Sequence, residues 1–360
     1  MKFDFVIGNP PYQQESETSN SKTNGQKPMT NVFHYFQQQA DEVANEGSVM
    51  IYPGGRWIHQ SGKGVKEFGK KQINDPSLST VEFYPDASEV FGNAASLSDG
   101  VTIVTKNKKS TKDGFTYVYN KNGKRITVEA AYPGDKLMPL NPFDLPIMQK
   151  VDRVVENKGW KFLHDAILPR SLFSIESDFA EKNPDKVRLF DGNNVDYSKG
   201  EIKLFTNDKA GKAGRATWFV SHESVITSNP EYIGQWQVVV SSANAGGQKR
   251  DNQLAIIDNH SAFGRARLAL RSFETYDEAK NFYSYVDSYL VKYMFLLTDE
   301  ALSSLGKEVP DIENYKSDNG IIDFTKDVDL QLFQIFGFTS EEINYVKSVV
   351  DGLRKKGDKW

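Results

Sequence analysis

The chain contains no cysteine. That excludes disulfides, cysteine-bound zinc, iron–sulfur clusters and cysteine nucleophiles. Histidine is scarce as well. The five present (His34, His59, His164, His222 and His260) are far apart, and no two stand at metal-ligand spacing. Each reads as a surface or half-buried side chain, and no metal is expected. No apolar run approaches the length of a membrane span, and no signal-peptide pattern opens the chain. With the missing cysteines this leads to the expectation of a cytoplasmic protein without a membrane partner. There is also little excess charge. A net charge of −4 does not advertise a polyanionic partner, so any such contact must come from a local patch. What remains is ordinary globular material: 360 residues, 38% hydrophobic and 26% charged, enough for two domains with their own cores.

The most informative residues follow the apolar run Phe3–Gly8, which reads as a buried parallel strand. They are Asn9, Pro10, Pro11 and Tyr12. An asparagine side-chain oxygen accepts a hydrogen bond from an amine. Consecutive prolines stiffen the turn and bias the residue before each away from helix. A tyrosine ring offers a flat surface on which a base can stack. As bare punctuation the string is a surface turn. Directly after a strand it is a loop suited to a planar substrate bearing an amino group.

This segment resembles motif IV of the amino-group methyltransferases that use S-adenosylmethionine, and the residues up to about 108 resemble the remainder of that catalytic domain. The resemblance is greatest to the modification region of fused restriction–modification enzymes, the adenine-methylating type IIG class. It implies an extruded adenine in double-stranded DNA as substrate. Asn9 and the Pro10 carbonyl would hold the two amine hydrogens, Pro11 would stiffen the turn, and Tyr12 would stack on the base. It implies S-adenosylmethionine as cofactor, and neither a metal nor a strong general base. In that family a Gly-rich turn and an acidic residue for the cofactor precede motif IV. Here only eight residues precede it, and no permuted copy follows. The expectation is therefore an incomplete cofactor site and a missing half supplied by a further segment or a partner subunit. The alternatives are a DNA-binding specificity subunit with a relic loop, or a methyltransferase acting on RNA or protein.

The periodicities predict an α/β fold. With the resemblance, this implies that residues 1–140 are the C-terminal half of a Rossmann-like methyltransferase sheet and residues 141–360 an α+β target-recognition domain. In the first domain the polar stretch 13–30 reads as a mobile loop, with a helix to about Asn45 capped by Thr30 or Asn31. Strands follow at Ser48–Tyr52, Thr80–Tyr84 and Gly100–Lys106, with a helix around Lys63–Ile73 between the first two. A hairpin turns at Asn120–Gly123. A Pro/Gly-rich linker spans Ala131–Pro146. In the second domain a single long helix is expected over Tyr276–Leu297, with Phe282, Tyr285, Tyr289 and Tyr293 as core, and a last helix over Ser340–Leu353. The segments Phe273–Ala279 and Asp323–Asp327 resemble, more loosely, the recognition region of the same methylases.

Two glycine-rich basic loops are the candidates for DNA contact: Lys209, Lys212 and Arg215 in one, and Asn244, Lys249 and Arg250 in the other. The turn Lys106–Lys109 reads as solubilising charge. Pro184-Asp185 with Glu201-Ile202-Lys203 matches the short pattern of metal-dependent nucleases, but a charged surface hairpin accounts for it equally well.

Overall fold

A computed structural model describes residues 2–15, 29–60, 64–94, 97, 99–211, 214–298 and 302–357. The fold is mixed α/β and divides into two compact units, Met1–Pro146 and Ile147–Trp360.

In the first unit, β1 (Phe3–Gly8) leads to a short ladder of β2 (Gln13–Glu15) with β3 (Met29–Asn31). Helix α1 (Phe33–Val43) then crosses to β4 (Ala44–Pro53). Next come α2 (Gly55–Ile58), α3 (Lys66–Ile73), β5 (Leu78–Tyr84), α4 (Ser88–Phe91), β6 (Val101–Asn107), β7 (Phe115–Lys121) and β8 (Lys124–Ala130). A six-stranded sheet results, in the order β1-β4-β6-β5-β7-β8. β1 runs parallel to β4, and β6 is antiparallel to both of its neighbours.

β1 is parallel, as its apolar run suggested, but it is not buried. It stands at the sheet edge, with Phe3, Phe5 and Ile7 exposed by 49, 64 and 81%. The alternation explains this. Val6 faces the core under α1, while the odd residues face the side of the sheet that no described element of the unit covers at this edge.

Three further expectations change. Residues 13–15 and 29–31 are not loop, because they pair, and residues 16–28 lie outside the described set. α1 begins at Phe33 without a side-chain cap, since Thr30 and Asn31 belong to β3 and the Val32 N–H is bonded to the Tyr12 carbonyl. The helix expected around 63–73 starts at Lys66, behind a separate turn of helix, α2. Gly47 lies within β4, where a Cβ would stand 2.2 Å from the Lys106 carbonyl oxygen. The β7–β8 hairpin turns as expected, with Asn122 and Gly123 both at positive φ.

Lys106 is a correction of a different kind. It is not solubilising charge: its side chain is 3% exposed, held between Asp41 Oδ2 at 2.7 Å and Asp75 Oδ2 at 2.6 Å. The same patch carries a polar chain from Asp41 through Gln37 and Tyr52 to Gln72. One ammonium thus ties α1, β6 and the turn after α3 together. Burial pushes the Asp75 carboxyl up, but the hydrogen bond and charge of Lys106, with Ser77, outweigh it and leave it below the usual range. Removing one partner of such a cluster strands the others. Lys106→Met is expected to cost about 3 kcal/mol in urea unfolding at pH 7. A depressed carboxyl stabilises above its unfolded value and loses that stabilisation as pH falls. The gap between variant and parent should therefore narrow below about pH 4.

The second unit opens with α5 (Asp144–Lys158), whose first turn holds the boundary, and β9 (Lys161–Phe162). Then follow α6 (Phe179–Lys182), β10 (Val187–Leu189), β11 (Glu201–Asn207), β12 (Ala216–His222), β13 (Trp236–Ser241), β14 (Ala255–Ile257), β15 (Ser261–Phe263) and β16 (Arg267–Phe273). The tail carries α7 (Tyr276–Val286), α8 (Tyr289–Leu296), β17 (Pro310–Asp311), α9 (Val328–Ile335) and α10 (Ser340–Gly357). The sheet β14-β13-β16 lies between two cores. Val238, Val240, Leu268 and Leu270 enter the helical core, and Val239 and Ala269 enter the core shared with the sheet β10-β12-β11-β15. Burial on both faces explains the unbroken apolar runs. The single long helix expected over Tyr276–Leu297 breaks at Asp287–Ser288. The Ser288 hydroxyl accepts from the Val291 N–H and caps α8. Phe282, Tyr285 and Tyr293 are fully buried core, and Tyr289 is half-buried.

Candidate functional site

The Asn9–Tyr12 turn leaves the carboxyl end of β1, and parallel pairing puts the carboxyl end of β4 on the same rim. There Pro53 ends β4 opposite Val101 of β6, itself opposite Tyr84 at the end of β5. The strand ends are drawn close. A Cβ at Gly54 would meet Thr102 Cγ2 at 2.3 Å, so only glycine allows this turn to lie against β6. The buried Trp57 indole donates to Thr102 Oγ1 at 3.2 Å, and that hydroxyl donates to the Tyr52 carbonyl at 2.9 Å.

Within the turn Pro10 is buried, Asn9 and Pro11 are exposed, and Tyr12 is half-buried against the core of the unit. The Tyr12 hydroxyl donates to Asn9 Oδ1 at 2.8 Å. Burial raises the Tyr12 pKa, which keeps that proton in place. The tyrosine is thus more than a flat face: it fixes the asparagine side chain. A carbonyl oxygen has two lone pairs, so Oδ1 can hold the tyrosine and still accept from an incoming amine. The Tyr12 carbonyl in turn accepts from the Val32 N–H at 3.0 Å, which locks the turn to the start of α1.

The sequence reading missed Asp99 on this rim. Its carbonyl accepts from the Gly55 N–H at 2.8 Å and its Oδ1 from the Arg56 N–H at 3.0 Å. Burial pushes its carboxyl up to about 6, against the pull of Arg56. The Asp-Gly pair before a strand was the available signal. His34, near the start of α1, and His59, beside α2, are held neutral by burial, His59 at about 4.

The second unit treats the loop candidates unequally. Lys209 and Arg215 are exposed at the tip of the β11–β12 hairpin, where Arg215 also lines a cavity of about 710 Å3 with Arg188, Leu189 and Phe219. Lys212 lies outside the described residues. Lys249 and Arg250 are exposed. Asn244 is not available as a reader of base edges. It is 7% exposed, its amide donates to the Arg250 carbonyl, and its Oδ1 accepts from the Lys249 N–H. A short side chain in a glycine-rich turn closes on its own backbone first. The nuclease-like residues are consumed as well: Glu201 is gripped by Arg188 at 2.6 and 2.9 Å, and Lys203 pairs with Asp258. Among the described residues no group of three His, Asp or Glu side chains could hold a metal.

Residues 1–91 match the family described as Eco57I restriction-modification methylase. Over that segment the chain resembles a type IIG-like restriction–modification methylase. The whole chain is similar to the type IIL restriction-modification enzyme MmeI, solved in complex with DNA. Identity is 9% over 97% of this chain and 54% of that one, with a TM-score of 0.41. It is also similar to the type IIG restriction endonuclease BpuSI, at 10% identity over 98% of this chain and 53% of that one, with a TM-score of 0.33. A third similarity, to a type I restriction-modification methyltransferase subunit from Streptococcus thermophilus, covers 35% of this chain and 29% of that one at 17% identity, with a TM-score of 0.24. The chain thus spans about half or less of these structures. No curated protein matches it.

A raised carboxyl pKa in the folded state means stability that is present below the unfolded value and lost as pH rises through the folded one. Asp99→Asn keeps the Oδ1 acceptor and removes the charge. In thermal melts it should match the parent near pH 4 and exceed it above pH 6, by up to about 3 kcal/mol.

Proposed function

We propose that this chain is the substrate-gripping portion of an S-adenosylmethionine-dependent DNA adenine N6-methyltransferase of a restriction–modification system. The observation that carries the reading is the asparagine whose oxygen is aligned by Tyr12 at the carboxyl end of a parallel strand, inside the segment that matches the methylase family.

On this reading an adenine swung out of the duplex enters the turn, at an unstacking cost of a few kcal/mol. Asn9 Oδ1 and the Pro10 carbonyl accept the two hydrogens of its amino group. The nitrogen lone pair is thereby directed out of the base plane. The Tyr12 ring supports the base, and Pro11 keeps the turn from yielding, so the geometry exists before the substrate arrives. S-adenosylmethionine, when bound, supplies the electrophilic methyl group. The residues of the turn fit the amine-holding role, and among the described residues none forms a cradle for that cofactor. Beside the turn the described residues offer an uncovered strand edge with Phe5 and Ile7 exposed, in place of a Gly-rich turn and an acid. A further strand added in parallel to β1 would satisfy its free N–H and C=O groups and cover these side chains. Such a strand, from another segment or a partner subunit, is the proposed source of the cofactor half. Lys209, Arg215, Lys249 and Arg250 are the proposed phosphate contacts.

Calorimetry of the chain with S-adenosylmethionine should give no heat of binding, and micromolar affinity would overturn the divided site. Tritiated methyl transfer to adenine in duplex DNA should appear when a polypeptide carrying the Gly-rich half is added. In that mixture Asn9→Ala should abolish transfer and Tyr12→Phe lower it about 10-fold, the worth of one aligning hydrogen bond. Full activity of the Asn9 variant would remove the turn from the chemistry.

A further inference from the structure

One side chain of the second unit stands apart from the basic loops. Arg267 opens β16 and is half-buried. Its guanidinium lies 4.9 Å from the centre of the Phe205 ring, and Nη1 donates to the Gln253 carbonyl at 2.8 Å. Other arginines of this unit rest on carboxylates: Arg188 on Glu201, Arg265 on Glu176 and Arg271 on Asp311. Among the described residues no carboxylate stands within ion-pair distance of Arg267. Burial alone acts on it and lowers its pKa. A desolvated cation without a counter-charge is costly, and packing does not require one. A guanidinium flattened on an aromatic ring and tied at one nitrogen also presents its remaining N–H groups in a fixed fork, a geometry matched to phosphate.

Its position joins two features that the sequence keeps apart. Phe205 lies on β11, two residues before that strand ends and the hairpin turn carrying Lys209 and Arg215 begins. Gln253 follows the loop that carries Lys249 and Arg250, and Arg267 itself pairs with Ser241, where that loop begins. Phe205 also packs on Trp218, 5.0 Å between ring centres. The guanidinium thus rests on the strand that leads into one basic loop and is anchored by a residue that follows the other.

We infer that Arg267, stacked on Phe205 and anchored by Gln253, is a receptor for a backbone phosphate of nucleic acid lying between the two basic loops. The inference rests on DNA being the partner proposed above.

The test is fluorescence anisotropy of the full chain with a labelled duplex, over a salt series from about 50 to 200 mM. Arg267→Gln should weaken binding about 10-fold at the middle of the series and flatten the slope of log K against log salt by about 0.9. It should melt no lower than the parent, since an uncompensated charge has been removed. Arg267→Lys keeps the charge and loses the fork, so it should bind about 3-fold more weakly with the parent slope. Arg265→Gln, which breaks a surface ion pair, should change neither. Parent affinity and slope in Arg267→Gln would overturn the receptor and leave the methylase reading standing. Should that variant fail to fold, parent affinity in Arg267→Lys would do the same. A lower melting point with an unchanged slope would make the residue a structural brace. Displacement of the parent by polyglutamate as readily as by unlabelled duplex would overturn the nucleic-acid assignment. Failure of the parent to bind duplex at all would sink both this and the function it rests on.

Discussion

The parallel ladder between β1 and β4 is the constraint on which the candidate site depends. It sets Val6 against Ser48 and Gly8 against Met50, and so brings the Asn9 turn and the Pro53–Gly55 turn to one end of the sheet. Antiparallel pairing would send the two turns to opposite ends. The ladder is one-sided. Among the described residues β1 has a neighbour along β4 only, and its outward side chains are apolar and exposed. The strand that places the most informative residues of the chain is also the least protected strand of its sheet.

Around that rim, rigidity comes from local closure. Tyr12 holds Asn9, Val32 holds Tyr12, and Asp99 holds the backbone of Gly55 and Arg56. Each contact satisfies a polar group that the tight turns would otherwise leave unpaired. None depends on a long side chain adopting one of many rotamers, so little ordering is left for the moment of binding.

Much of this was legible in the sequence, and the losses have physical reasons. The strand, the turn and the Asn122-Gly123 hairpin were readable because each rests on residues adjacent in the chain. The edge position of β1 was not readable from its own apolar run, because burial depends on what the neighbouring strands and helices cover. Lys106 looked like one more basic residue of a surface turn. Its partners Asp41 and Asp75 are 65 and 31 positions away, and no local pattern announces them. Asn244 looked free because glycine-rich loops read as open, whereas its amide had the nearest backbone to bond. The break at Ser288 was hidden by a continuous helical stripe, although a serine followed three residues later by an N–H in need of a partner is a helix start. Arg267 carried no signal at all, since the absence of a counter-charge is a property of three dimensions.

Lys106 has one more consequence. It closes its cluster only when residues near 41, 75 and 106 have met, and until then α1 has no anchor to β6. On a ribosome, Asn9 and Tyr12 emerge roughly a hundred residues before that closure. The helix that follows the motif thus waits on residues made much later for its tie to β6. A nascent chain arrested before β6 would carry the whole motif and its local bonds, with Asp41 and Asp75 still without the cation they share.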